Sequence, residues 1–171
     1  MKKHIIAVLF ALSACTVAEK QPQDPRKVAI KRVDSLENEI KKAIANNPTE
    51  TDIKLAMYTL EAYQFFVIDY PKDSLAPSYL FKGAQLYEGA LRDKVKALEW
   101  YQQIYAQYPE SKVRPMALFH KGNVLQEIGD TTNAIKSFKT FMVKYPQHPF
   151  AKDAENMITY IRSKNNPLKT N

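Results

Sequence analysis

Catalysis and metal binding need polar groups that converge, and the groups able to do such chemistry are few and scattered in this chain. Its three histidines are His4, His120 and His148. His4 lies in a basic leader, His120 in a helical pattern beside Phe119 and Lys121, and His148 in the turn Pro146-Gln147-His148-Pro149. Neither His120 nor His148 has a histidine or carboxylate three or four residues away, the spacing that places two ligands on one helix face. Solvated or capping roles are therefore expected for both. The single cysteine, Cys15, closes an apolar run and leaves the remaining chain without a thiol nucleophile. Ser35, Ser74, Ser78, Ser111, Ser137 and Ser163 stand in helix or cap contexts, with no strand-to-helix elbow around any of them. Glu37 with Glu39, or Glu61 with Asp69, could be drawn as carboxylate pairs, but charge on an outer helix face is ordinary. The expectation is no enzyme, no metal and no cofactor. With only four glycines, no phosphate-cradling loop is expected either.

The N-terminus is a separate object. Met1-Lys2-Lys3-His4 is basic and Ile5 to Leu12 is apolar. The run is far short of the ~20 residues that cross a bilayer, so it reads as a signal peptide. Leu12-Ser13-Ala14-Cys15 resembles the lipobox of bacterial lipoproteins. That resemblance implies cleavage before Cys15, a diacylglycerol on its thiol and acylation of its amine. An ordinary secretory signal with a chance cysteine is the alternative; the sole cysteine standing where the motif demands it favours lipidation. Loss of Lys2 and Lys3 with the leader lowers the formal charge of +7 by two. The remaining basic residues are dispersed, with five arginines and no arginine-rich tract. Such a surface suits an acidic partner or anionic lipid better than nucleic acid, which an exported protein would not meet.

The elements that must position any site are repeated. Tyr-Pro occurs at Tyr70-Pro71, Tyr108-Pro109 and Tyr145-Pro146. The same apolar pattern precedes each, as Ala97, Tyr101, Ile104, Tyr108 and again as Ala134, Phe138, Phe141, Tyr145; Thr59, Tyr63, Phe66, Tyr70 fit more loosely. A period of roughly 20–50 residues marks stacked repeats. The ten prolines fall between the periodic stretches or in their first turns, where a missing N–H costs little. Helices are predicted over about 26–46, 51–69, 74–88, 93–107, 111–128, 131–144 and 149–162. Ile53, Ala56, Met57, Leu60, Tyr63, Val67 and Tyr70 form the expected inner face of the second. Ser74, Ser111 and Asp130 are expected N-caps, and Gly89 and Gly129 left-handed stops. Ala29, Val33, Leu36, Ile40 and Ala43 form a narrow seam on the first helix, which either caps the repeats or makes a short coiled coil. Trp100, next to core-facing Tyr101, is expected to cover a neighbouring helix.

These features resemble the tetratricopeptide repeat over roughly residues 50–162. In the last full copy the family's small residue falls on Gly122, its alanine on Ala134, its aromatic on Phe138 and its proline on Pro146. Ala84, Ala97, Tyr101 and Pro109 match in the copy before, with one extra residue between the helices. The resemblance implies an all-α solenoid of about three helix pairs with a C-terminal capping helix. The expected organisation is a signal peptide over 1–14, a lipidated polar tether over 15–25, repeats over 26–163 and a flexible tail over 164–171. It also implies that the first helices line a groove, with Ser78, Phe81, Gln85 and Glu88 followed by Met116, Phe119, Asn123 and Gln126 facing it. Phe81 and Phe119 then either form two apolar sites in one partner-binding groove or are covered by the last helix as core.

Lipobox, tether and Tyr-Pro-closed repeats together resemble the repeat lipoprotein of the outer-membrane β-barrel assembly machinery. The repeats also resemble those of the Tol-Pal-associated cell-division coordinator, which carries a short coiled coil ahead of them. The assembly lipoprotein usually has more repeats, and the coordinator is not normally lipidated. The short leader resembles those of Bacteroidetes lipoproteins, in which an acidic run after the cysteine accompanies surface export. Residues 16–20 lack such a run, which favours the periplasmic side of the outer membrane. The leading expectation is a lipid-anchored periplasmic scaffold that binds envelope proteins, with β-barrel assembly components foremost. A division-coordination scaffold comes second. A lipid-anchored hydrolase is the remote third, because it would need a cluster the sequence does not offer.

Overall fold

A computed structural model describes residues 23–47 and 52–165; the leader, Cys15 and residues 166–171 lie outside them. Among the described residues the chain forms seven α-helices and no strand. They are α1 (Pro25–Asn46), α2 (Ile53–Asp69), α3 (Ala76–Gly89), α4 (Lys94–Gln107), α5 (Arg114–Glu127), α6 (Thr131–Lys144) and α7 (Ala151–Asn165). Each helix packs on the next, and α3 also touches α5. The result is three consecutive pairs closed by α7. No described helix is long and apolar enough to cross a membrane.

Each Tyr-Pro unit ends a second helix in the same way. Tyr70, Tyr108 and Tyr145 are the C-terminal caps, and their carbonyls accept from Asp73, Ser111 and His148 N–H at 3.0, 3.1 and 3.0 Å. The proline after each tyrosine cannot continue the helix, so the chain turns into the next pair. Asp52, Asp93 and Asp130 cap the second helices, accepting from Leu55, Lys96 and Asn133 N–H at 2.9, 2.9 and 3.1 Å. The expected caps Ser74 and Ser111 do not serve. Helices α3 and α5 begin at Ala76 and Arg114, later than expected, with no side-chain cap and with Pro77 or Pro115 in the first turn. Proline removes one of the N–H groups a cap would satisfy, so less is lost.

Gly129 holds the left-handed conformation expected of it, at φ +86°, but Gly89 does not. In that first turn the left-handed residue is Arg92, at φ 56°, just before the Asp93 cap. The longer connection moves the strained position off the glycine and onto an arginine.

The core runs through the pairs. Tyr101, Ile104, Phe138 and Phe141 are fully buried, as the second-helix pattern requires. On α2 the inner face is rotated from the expected one. Ile53 and Met57 are exposed, while Thr59, Ala62 and Phe66 are buried beside Leu60, Tyr63 and Val67. Thr59 is accommodated because its hydroxyl donates to the Leu55 carbonyl at 2.8 Å. Helix α1 packs on α2 as the first helix of the first pair, which places it at the N-terminal end of the array. Val33 is fully buried, and Leu36 and Ile40 are half-buried. Burial of one such side chain contributes about 1.5–3 kcal/mol. Helix α7 closes the other end with Ala154, Ile158 and Ile161, one stripe at helical spacing.

Candidate partner-binding groove

Two close approaches fix where the first helices sit. A Cβ placed on Gly122 would stand 2.7–3.0 Å from three atoms of the Phe138 ring, and one on Gly83 would enter the Trp100 ring. Gly122 and Ala134 are the tight contacts expected of the third pair. In the second pair the buried Ala84 is joined by Gly83, which the sequence pattern did not single out. Trp100 folds over α3 and meets Tyr87 edge-on at 5.2 Å. It covers a neighbouring helix, as its place beside Tyr101 suggested.

The expected groove residues separate into three groups. Phe119 is core, exposed by only 7% and enclosed by Phe138, Phe141 and Phe150 at ring distances of 5.5, 5.6 and 5.1 Å. The last of these stands just ahead of α7, so the C-terminal segment covers Phe119. Of the two roles open to that ring, the structure selects core. Met116 is half-buried against the same cluster. Phe81 is half-buried against the core, less enclosed than Phe119, with its ring 5.7 Å from Tyr101 and 5.5 Å from His120. Gln85 is exposed, and Ser78, Asn123 and Gln126 are half-buried.

Glu88 is tied into a network that sequence spacing did not reveal. The Tyr101 hydroxyl donates to its carboxylate at 2.9 Å, and His120 Nδ1 lies 3.7 Å from the same oxygen. Burial pushes the Glu88 carboxyl up, but the His120 imidazole and the Tyr101 hydroxyl outweigh it and hold the group below its ordinary value. His120 stacks on Tyr101 at 5.3 Å. It is therefore neither solvated nor capping. Its carboxylate partner belongs to α3, beyond the reach of any spacing along α5 itself. His148 does cap, its Nδ1 accepting from Phe150 N–H at 3.2 Å. Glu37 likewise joins helices rather than pairing with Glu39. It accepts from the Tyr63 hydroxyl at 2.9 Å and from Lys82 at 2.7 and 2.8 Å. Among the described residues no three histidine, cysteine or acidic side chains converge to hold a metal.

What the groove offers is a row of amides and one accessible aromatic edge, set on rigid paired helices. Amides both donate and accept, so they can read a peptide backbone. Residues 78–111 and 116–148 each match the tetratricopeptide repeat family. The array is a tetratricopeptide-repeat solenoid. Both matched repeats take in a first helix, a second helix and the start of the Tyr-Pro turn. The α1–α2 pair lies outside the matched residues but stacks on the repeats in the same order. No curated protein matches the sequence. The repeat architecture makes this a protein-interaction scaffold in kind.

Proposed function

We propose that this protein is a lipid-anchored scaffold at the periplasmic face of the outer membrane. It holds envelope proteins in the first-helix groove, and assembly of outer-membrane β-barrels is its setting. The observation that carries the binding role is the half-buried Phe81 ring beside the exposed amide of Gln85, with Asn123 and Gln126 on the next repeat. Leu12-Ser13-Ala14-Cys15 supports the anchor. Division coordination is the second reading: the repeats carry that resemblance, while the helix ahead of them packs on α2.

The test is affinity purification from crosslinked envelopes with mass spectrometry, comparing wild type, Phe81→Ala and Cys15→Ala. Phe81 is partly solvated, so its truncation should cost less than the ~3–5 kcal/mol of a fully buried ring. The variant should remain folded yet lose the barrel-assembly components, as an interface hot spot does. Cys15→Ala should stay unprocessed by the lipoprotein peptidase or leave the outer membrane, since without its acyl chains the protein has no stable anchor there. Full partner recovery by folded Phe81→Ala would overturn the groove, and normal processing of Cys15→Ala would overturn the anchor.

A further inference from the structure

A second groove, of about 510 Å³, runs between the two second helices α4 and α6, with α5 as its floor. Its apolar lining is the half-buried Leu98 and the exposed Ile128, over the buried Leu118 and Leu125. Lys121 from α5 and Lys136 from α6 line it, and neither ammonium has a hydrogen bond or a carboxylate within ion-pair reach among the described residues. Lys121 is half-buried. Burial disfavours its charged form; Tyr105 opposes this, and the nearby charge of Lys136 adds a smaller push in the same direction as burial.

The only acid lining the groove is already committed. Asp130 accepts from Asn133 N–H at 3.1 Å and from the Asn133 side-chain amide at 2.7 Å. At one margin the Tyr105 ring lies between the Arg114 guanidinium at 4.6 Å and Lys144 at 5.5 Å, which adds two more cations. Helix α6 carries Lys136, Lys139 and Lys144 and no acid at all. Holding like charges together in a partly desolvated groove is unfavourable unless an anion joins them.

We propose that the α4–α6 groove binds an acidic segment of a partner protein, seating an aliphatic side chain on Leu98 and Ile128 and carboxylates on Lys121 and Lys136. The apolar lining decides against a small inorganic anion, which would leave the exposed Ile128 and half-buried Leu98 uncovered. The groove lies between the second helices and uses the face of α5 that carries Lys121 rather than Asn123 and Gln126, so its failure would leave the Phe81 reading standing.

Fluorescence anisotropy on the full-length protein in mild detergent tests it. The probes are a fluorescein-labelled peptide of alternating glutamate and leucine and its glutamine counterpart. The glutamate peptide should bind about tenfold more tightly or better, a preference that weakens as salt shortens the screening length. Lys121→Gln/Lys136→Gln should lose about tenfold in affinity, whereas Lys139→Gln, on α6 but outside the groove, should not. Lys136 is exposed, so Lys136→Gln alone cannot act through misfolding and should lose part of the affinity. Equal binding of both peptides would overturn the proposal. So would full affinity in the folded double variant. Displacement by inorganic phosphate as effective as by unlabelled peptide, or preference for anionic phospholipid vesicles over the peptide, would overturn it too.

Discussion

Replacing glycine by alanine at two helical positions should shift stability in opposite directions. Gly89 ends α3 with no atom within 4 Å of where a Cβ would stand, and its φ is not positive. Alanine there restricts the unfolded chain and favours helix, a gain of about 0.4–1 kcal/mol. Gly122 receives the same gain, but its new methyl would stand 2.7 Å from Phe138 Cε1 and 2.8 Å from Cζ. The Phe138 ring cannot swing aside. It is fully buried, and Phe119 meets it at 5.5 Å. Either α5 and α6 separate or the ring leaves its rotamer, an overpacking cost of about 1–3 kcal/mol. Gly122→Ala should therefore be destabilised by up to about 2 kcal/mol net, while Gly89→Ala is stabilised. For a domain of this size about 4 °C accompanies each kcal/mol, so the two midpoints should differ by roughly 4–12 °C. Thermal unfolding followed by circular dichroism reads this directly. A Gly122→Ala protein that melts as high as Gly89→Ala would show that the α5–α6 contact has slack and refute the reasoning.

Phe119→Ala should cost about 3–5 kcal/mol, because it empties a site enclosed by three rings; a loss below about 1 kcal/mol in urea unfolding would return Phe119 to the groove. Glu88→Gln should flatten the acid limb of stability. The folded carboxylate titrates below its unfolded value, so its contribution is complete above about pH 4.5 and is lost as pH falls through the lower folded value. Wild type should exceed Glu88→Gln in midpoint at pH 6, with the gap closing towards pH 3. A gap independent of pH would mean that the Tyr101 and His120 contacts do not hold the charge.

Most of the fold was legible because its signals are local. The Tyr-Pro turns, the proline positions and the spacing of Ala97, Tyr101, Ile104 and of Ala134, Phe138, Phe141 all lie within one helix or one turn. What was not legible depends on contacts between helices. The stripe of α2 was read with Ile53 and Met57 inside because both are apolar. Which side turns inward is set by α1 and α3 packing against it, and Thr59 takes the buried place because its hydroxyl can be satisfied by its own helix. Ser74 and Ser111 have the right chemistry for caps, yet helix start was decided by Pro77 and Pro115. The groove was half legible: spacing placed Phe81 and Phe119 in one register, but only the path of the chain through Phe150 decides that one is covered and the other is not.

The two tyrosine–carboxylate links explain why the groove is better read through its amides than through its acids. Tyr63 and Tyr101 occupy the same repeat position, and a phenol carried so deep into a core needs an acceptor. Each finds one on the first helix of its own pair, Glu37 on α1 and Glu88 on α3. Both phenols are pushed up, by burial first and then by the carboxylate they face. Those carboxylates are thereby committed to joining helices. The third pair carries Phe138 at the corresponding position, which has no hydroxyl to satisfy. Gln126, the residue of α5 that corresponds to Glu88, is under no such demand. Moving along the array, the groove therefore changes from committed carboxylates to uncommitted amides. A partner seated against Phe81 would meet hydrogen-bonding capacity chiefly at Gln85, Asn123 and Gln126. Removing Glu88 should disturb such a partner less than it disturbs the α3–α4–α5 contacts that Glu88 holds together.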